Sequence, residues 1–381
     1  MKEEVLLMIP GPTNVPQRVL RALSKPMVGH RSDDFHRCFE EVSAGLKEVF
    51  RTANDTFVFA SSGTGAMEAA IANTISPGEA VLCLVNGVFG DRFGKIAQAY
   101  GAEVTRLEFP PGVGADPDSL RKALRGKAYK AVTMLHNETS TGVLNDVAAL
   151  AAVVRETEAL LIVDTISGVL SAPLETDQWG IDLLVGGSQK AFMLPPGLAF
   201  LAVSARAWRA VESCKSPSFY FNLPAMRTAA EKSETAYTPA LGLFFGLQEA
   251  LRVIQEEGIE GSVARHRRLR DAVRAGVRAL GLELLAQDWC ASCSVTAIHA
   301  PPGVEEAKMR KWIRENYAIL LTGGQGALRG KIFRIGHLGY VFDPDVIATM
   351  AALEQGLASA GYRGETGRAV GAAQQVLARA Q

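Results

Sequence analysis

Short apolar runs alternate with amphipathic stretches along most of this chain. After an amphipathic helix from about Asp34 to Phe50, apolar runs predict strands near 57–60, 80–85, 103–108, 130–135, 159–164, 182–185 and 198–203. Helical segments near 64–75, 89–101, 117–125 and 145–157 separate the first five. This βα rhythm predicts a mostly parallel seven-stranded sheet covered by helices, an α/β fold. The last two strands are joined by a loop carrying Pro195-Pro196-Gly197, too short for a parallel crossover, so that pair is expected to be antiparallel. Beyond a long helix starting near Leu241 the order changes. A helix near 261–280, a strand near 293–299, a helix near 304–316, strands near 318–321 and 332–336, and a helix from about Pro344 to Ala360 read as a smaller α+β domain. The expected division is an N-terminal segment 1–18, a large domain 19–258 and a small C-terminal domain 259–381, with the boundary at Gly258 to Gly261. The Ala/Gly/Arg-rich tail from Gly364 to Gln381 reads equally as a helix or a frayed end.

Composition agrees with a large globular enzyme-sized chain. At 381 residues and 48% hydrophobic, it can bury the cores of two domains. Lys and Arg number 40 against 40 Asp and Glu, so no excess charge points to nucleic acid or an anionic membrane. No apolar run reaches the roughly 18 residues of a membrane span. The start, Met1-Lys2-Glu3-Glu4, is acidic and enters a strand-like run unlike a signal or transit peptide, so a cytoplasmic location is expected. Five cysteines, Cys38, Cys83, Cys214, Cys290 and Cys293, sit mostly in apolar patterns and are expected to be buried thiols. Cys290 and Cys293 have CxxC spacing, but a zinc site wants a second ligand pair and only His299 is close. Cys293 is instead expected to begin a strand through Val295, Ala297 and Ile298.

The candidate chemistry sits at strand ends. Leu160-Leu161-Ile162-Val163 ends in Asp164, and Asp182-Leu183-Leu184-Val185 leads through Gly186-Gly187-Ser188-Gln189 to Lys190. Carboxyl ends of strands form the ligand crevice of an open α/β sheet, so both residues can meet one ligand there. An aspartate and a lysine so placed suit pyridoxal phosphate: the carboxylate keeps the pyridine nitrogen protonated, and the amine joins the cofactor aldehyde. Earlier, Thr56 to Ala60 reads as a strand, followed by Ser61-Ser62-Gly63-Thr64-Gly65-Ala66 and a helix-forming run from Met67 to Ile75. Such a turn lets backbone N–H groups approach a phosphate at a helix N-terminus. It is not a dinucleotide fingerprint, because Glu68 stands where a third glycine is needed, and no GxxxxGK[ST] occurs.

Taken in order, these residues resemble the class V aminotransferases of fold type I, and among them the alanine–glyoxylate and serine–glyoxylate enzymes. The resemblance runs through Met8-Ile9-Pro10-Gly11-Pro12-Thr13-Asn14-Val15-Pro16, Met27-Val28-Gly29-His30-Arg31, Ser62-Gly63-Thr64-Gly65 and Asn86-Gly87-Val88-Phe89-Gly90-Asp91-Arg92. It continues through His136-Asn137-Glu138-Thr139-Ser140-Thr141-Gly142, Asp164, Lys190 and Phe333-Arg334-Ile335-Gly336-His337-Leu338-Gly339. It implies pyridoxal 5'-phosphate on Lys190, which also shuttles the substrate proton, and Asp164 as partner of the ring nitrogen. Phe89 is implied to stack on the ring, where Trp is commoner, and Thr139 to reach the ring oxygen. Thr64, Gly65, Ala66 and Gln189 are implied to hold the phosphate, helped by Thr238 from the neighbouring subunit of a homodimer, although residue 235 is Thr where relatives carry an aromatic. Arg334 is implied to grip the substrate carboxylate, with Gly11 and the loop Thr322-Gly323-Gly324-Gln325-Gly326 closing over a small substrate. His30, Arg31 and His337 stay open between a role beside the site and a structural one. The implied reaction is ping-pong amino transfer from alanine or serine to glyoxylate or a similar 2-oxo acid. 2-Aminoethylphosphonate–pyruvate and ureidoglycine–glyoxylate transfer are the neighbouring alternatives. A cysteine desulfurase would need a mobile cysteine over the cofactor and usually a His on the ring, where Phe89 stands; a non-catalytic subunit would not need Lys190, Asp164 and Arg334 intact.

Overall fold

All seven early apolar runs join one sheet in the computed structural model, which describes residues 4–362 and 364–379. Residues 1–3 of the N-terminal segment, and 380–381 of the tail, lie outside the described residues. The strands are β1 (Asp55–Phe59), β2 (Ala80–Val85), β3 (Glu103–Glu108), β4 (Ala131–Leu135), β5 (Leu160–Asp164), β6 (Leu183–Gly187) and β7 (Ala199–Val203). Their spatial order is β1-β7-β6-β5-β4-β2-β3. Only β7 runs against its neighbours, antiparallel to both β6 and β1. The short Pro195-Pro196-Gly197 loop therefore makes the antiparallel connection expected of it.

Alternate side chains of each central strand enter opposite cores, which is why these strands read as unbroken apolar runs. Leu161 and Val163 join a core with Phe35, Leu46 and Phe50 of α1 (Asp33–Phe50), whereas Leu160 and Ile162 join a second with Met67 and Ile71 of α2 (Gly63–Thr74). A third core gathers Met8, Leu269, Phe333, Ile335 and Met350 around the C-terminal sheet. There β8 (Val295–His299) and β9 (Thr322–Gly323) flank β10 (Ile332–Gly336), both antiparallel to it.

The chain departs from the sequence reading at several ends. The run 318–321 is shorter than expected, with Ile319–Leu320 pairing in parallel with Leu6–Leu7, and a separate strand just beyond it, Thr322–Gly323, pairs with β10. The strand expected from Cys293 starts at Val295, because the Ser292 hydroxyl accepts the N–H groups of Ser294 and Val295 and holds a turn there. The helix expected over 145–157 is Val147–Val154, its start fixed by the Asp146 carboxylate accepting the Ala149 N–H at 3.0 Å. Two unanticipated helices, Ala205–Ser213 and Leu223–Ala230, follow β7. The tail forms a helix, Arg368–Arg379, that buries Ala369, Ala373 and Leu377. Among the described residues no helix is long and apolar enough to cross a membrane.

Candidate active site

The carboxyl ends of β4, β5 and β6 open into a cavity of about 360 Å³. Asp164 is the last residue of β5, and Lys190 follows β6 by three positions. The lysine loop is closed by Ser188, whose hydroxyl donates to the Pro195 carbonyl at 2.8 Å and accepts the Leu198 N–H at 3.2 Å. The N-terminal segment then crosses to it from the C-terminal sheet. The Gly336 N–H donates to the Met8 carbonyl, Lys190 Nζ donates to the Pro10 carbonyl, and Thr13 donates through N to Gln189 O and through Oγ1 to Lys190 O. Gly11 is pressed against the lysine, with φ of +126°, so that a Cβ there would lie 2.6–2.7 Å from Lys190 Cδ, Cε and Nζ.

Burial governs both charges. It pushes the Asp164 carboxyl up to about 7, opposed by the Ile166 N–H that Oδ1 accepts at 2.7 Å, reinforced by Glu138, and opposed again by Lys190 and Arg92. It pulls Lys190 down to about 8, against the attraction of Asp164 and with help from the positive Arg334 and Arg92.

Of the residues singled out from sequence, Gly11, Thr64, Phe89, Thr139, Asp164, Gln189 and Lys190 line this cavity. Gly65 and Ala66 do not: they are buried in the first turn of α2, beneath Thr64. Arg334 is buried behind Thr139, donating Nη1–H to the Thr139 carbonyl at 2.9 Å and both Nε–H and Nη2–H to the Gly323 carbonyl. Three of its five N–H groups are thus held by backbone, and two remain. Burial lowers it to about 10, so its charge survives at neutral pH. Thr238 is exposed and lies away from the cavity, in a groove with Tyr220 and Tyr237. His30 and Arg31 also lie away, Arg31 facing Glu234 at 3.8 Å. His337 is structural: in the C-terminal core its ring is held at 3.0 Å by both the Cys293 carbonyl and the Thr296 hydroxyl.

Arg92 was missed. It lines the cavity, donates to Thr64 Oγ1 at 3.0 Å and places its guanidinium 4.7 Å from the centre of the Phe89 ring. It stands in the same quoted motif as Phe89, three positions on, which is one turn of helix and the signal that could have found it. None of the five cysteines lines the cavity, and the CxxC pair is two buried free thiols.

The lining fits pyridoxal phosphate on three observations. Asp164 Oδ2 makes no hydrogen bond to the described residues, leaving it for a ring N–H. Gln189 lines the cavity, and its amide NH₂ donates to no described residue, which leaves it for a phosphate oxygen. At the start of α2, Ser62 gives no side-chain cap, the first turn has no acidic residue, and the N–H groups of Gly63 and Thr64 donate to no described residue. That end favours an anion.

Comparison with known proteins gives one relative named as a hydrogenase subunit and several named as aminotransferases. The chain is 45% identical to the soluble hydrogenase small subunit of a Synechococcus species, over all of both chains. It is 39% identical to the L-aspartate–glyoxylate aminotransferase of Paracoccus denitrificans, covering 97% of this chain and 95% of that one. It is 37% identical to the serine–glyoxylate aminotransferase of Methylorubrum extorquens, covering 97% and 95%. The crystal structure of pyridoxamine–pyruvate aminotransferase from Mesorhizobium loti superposes with a TM-score of 0.96 at 30% identity, over 99% of this chain and 98% of that one. The profile of aminotransferase class V matches residues 5–335, and the chain belongs to that family, the pyridoxal-phosphate-dependent class V aminotransferases of fold type I.

Proposed function

We propose that this aminotransferase moves the amino group of a small amino acid, alanine or serine, to glyoxylate or a similar 2-oxo acid by a ping-pong sequence. The observation that carries the reading is the seat of Arg334, with two N–H groups left beside a cavity of about 360 Å³ that must also hold the cofactor, while the second guanidinium there, Arg92, is engaged by Thr64 Oγ1 and the Phe89 ring. That suits one α-carboxylate and a short side chain. Bound pyridoxal phosphate supplies the aldehyde that carries the amino group and the ring that withdraws electrons.

The remaining work falls to this chain's own residues. Lys190 Nζ takes the proton from the donor Cα and returns it on the acceptor side. Asp164 holds the ring-nitrogen proton, and Phe89 covers the ring face. Thr64, Gln189 and the N–H groups opening α2 hold the phosphate. Arg334 fixes the carboxylate and with it the direction of the Cα–H bond, so that this bond, not a neighbouring one, is broken. Thr238 is assigned to the phosphate site of a second subunit in a homodimer. Its exposure, beside the 82% exposed Phe219 and the Tyr220–Tyr237 stack at 5.3 Å, supports that assignment.

Three measurements bear on this reading. With glyoxylate as acceptor, alanine and serine are expected to give parallel double-reciprocal lines and the highest kcat/KM among alanine, serine, aspartate and 2-aminoethylphosphonate. Aspartate or the phosphonate leading by more than tenfold would overturn the choice of donor. Gly11→Ala is expected to lower the melting temperature by a few degrees, because φ of +126° strains any side chain, and to lower kcat about 10²-fold, because its Cβ must push the lysine amine aside by about an ångström. Unchanged turnover would show that the lysine does not work from the position seen here. Finally, the rate at which apoprotein captures pyridoxal phosphate is expected to rise about tenfold per pH unit up to about 8 and then level, since only the neutral Lys190 amine attacks the aldehyde. A rise that continues to pH 10 would mean that burial does not depress this lysine.

A further inference from the structure

Glu138 is wholly buried, and the reaction described above gives it no part. Its carboxylate is nevertheless the most heavily bonded group near the cavity. Oε2 accepts the N–H groups of Phe89 and Gly90, both at 3.0 Å, and Oε1 accepts the Ser140 N–H at 3.0 Å and the Ser140 hydroxyl at 2.6 Å. Phe89 and Gly90 are the second and third residues of α3 (Val88–Ala99), and the first, Val88, donates its N–H to Ser140 Oγ at 3.0 Å. Three successive N–H groups of that first turn are therefore capped from outside, by two residues of the hairpin that joins Asn137–Glu138 to Val143–Leu144.

The helix's own capping position is vacated for this. It is Gly87, and a Cβ there would lie 2.3 Å from Ser140 Oγ and 2.8 Å from Glu138 Cδ. An N-cap side chain would normally satisfy one of these N–H groups. Here a carboxylate reaches in to the positive end of the helix, where its charge is favoured. Burial pushes this carboxyl up, and the same four hydrogen bonds oppose it.

Between the two clamping residues stands Thr139, which lines the cavity and whose carbonyl accepts from Arg334. We propose that Glu138 is a positioning residue that fixes Phe89 and Arg334 relative to each other, by tying the first turn of α3 to the turn that seats the guanidinium. The proposal rests on the roles given above to Phe89 and Arg334. It explains why the reading of this motif as a source of Thr139 alone is incomplete: the neighbouring acid holds together the two walls between which ring and carboxylate must be aligned.

The test compares holoprotein of Glu138→Gln with Ala97→Gly, a buried position in α3 remote from the clamp. Glutamine offers one acceptor oxygen and turns an NH₂ toward donors, so one side of the clamp must open. Glu138→Gln is expected to lose at least about half of the visible circular dichroism of the bound cofactor and to raise donor KM at least about tenfold, more than kcat falls. Ala97→Gly is expected to lower the melting temperature and leave both signals as they are. A folded Glu138→Gln with the dichroism and KM of the unaltered protein overturns the proposal, as does Ala97→Gly matching it at equal loss of melting temperature. If Glu138→Gln does not fold, Ser140→Ala, which removes the Val88 cap and one donor to the carboxylate, is read in the same way, and unaltered signals there overturn the proposal too. Should the unaltered protein bind cofactor but transfer no amino group, the functional reading fails, and the dichroism comparison still decides the clamp at Phe89.

Discussion

Replacing Lys190 by alanine is expected to lower kcat for amino transfer at least about 10⁴-fold while the melting temperature moves by only a few degrees. Lys190 is the one amine among the described residues lining the cavity. Its value of about 8 raises the neutral fraction at pH 7 from under about one in a thousand, for an ordinary lysine, to about one in ten. That is enough to attack an aldehyde and to take a proton from Cα. The loop stands without the side chain, since Thr13 holds it through the backbone oxygens of Gln189 and Lys190. Lys190→Arg is expected to be as inactive as the alanine variant, because a guanidinium keeps the charge but cannot give up its proton. Added methylamine is expected to restore part of the activity to Lys190→Ala. Turnover within tenfold of the unaltered enzyme in either variant would remove this lysine from the chemistry.

Asp164→Asn is expected to cost about 10²- to 10³-fold in kcat with little change in the fold. The amide oxygen can still accept the Ile166 N–H, so the local turn is kept, but the negative charge facing the ring nitrogen is gone. Without cofactor, burial holds this carboxyl at about 7, so a charged ring partner is needed to keep it ionised through the neutral range. The loss is therefore electrostatic, and a cofactor analogue bearing a methyl group on the ring nitrogen, which is permanently charged, is expected to recover much of the activity in Asp164→Asn. Failure of that analogue to help, with the variant folded and loaded, would assign Asp164 a merely structural place at the end of β5.

How far the sequence carried these conclusions depended on what kind of signal each needed. β4, β5 and β6 are buried on both faces, so their apolar runs stand out without any partner being known, and the abrupt ends at Asp164 and before Lys190 mark the crevice. The helices Ala205–Ser213 and Leu223–Ala230 were equally legible in principle: Ser204 and Asn222 each accept an N–H three residues on, and Pro224 sits inside the first turn. Other features are tertiary. The Ser-Gly turn announces a helix N-terminus, but only packing shows that Thr64 faces the cavity while Gly65 and Ala66 lie below it. Glu138 gave no local sign of its role, because its partners Phe89 and Gly90 are 49 and 48 residues away. Arg334 stands out in sequence as a cation within an apolar run, yet its backbone acceptors come from separate segments, Gly323 on β9 and Thr139 in the turn after Asn137–Glu138.

The central claim, amino transfer through Lys190 to a small 2-oxo acid, is most directly tested by following the visible absorbance of the loaded enzyme through each half of the reaction. Alanine or serine added without acceptor is expected to bleach the band of the bound cofactor and release one equivalent of the matching 2-oxo acid, and glyoxylate added next is expected to restore the band and release glycine. A band that neither donor changes, or one that bleaches without release of a 2-oxo acid, would contradict the account.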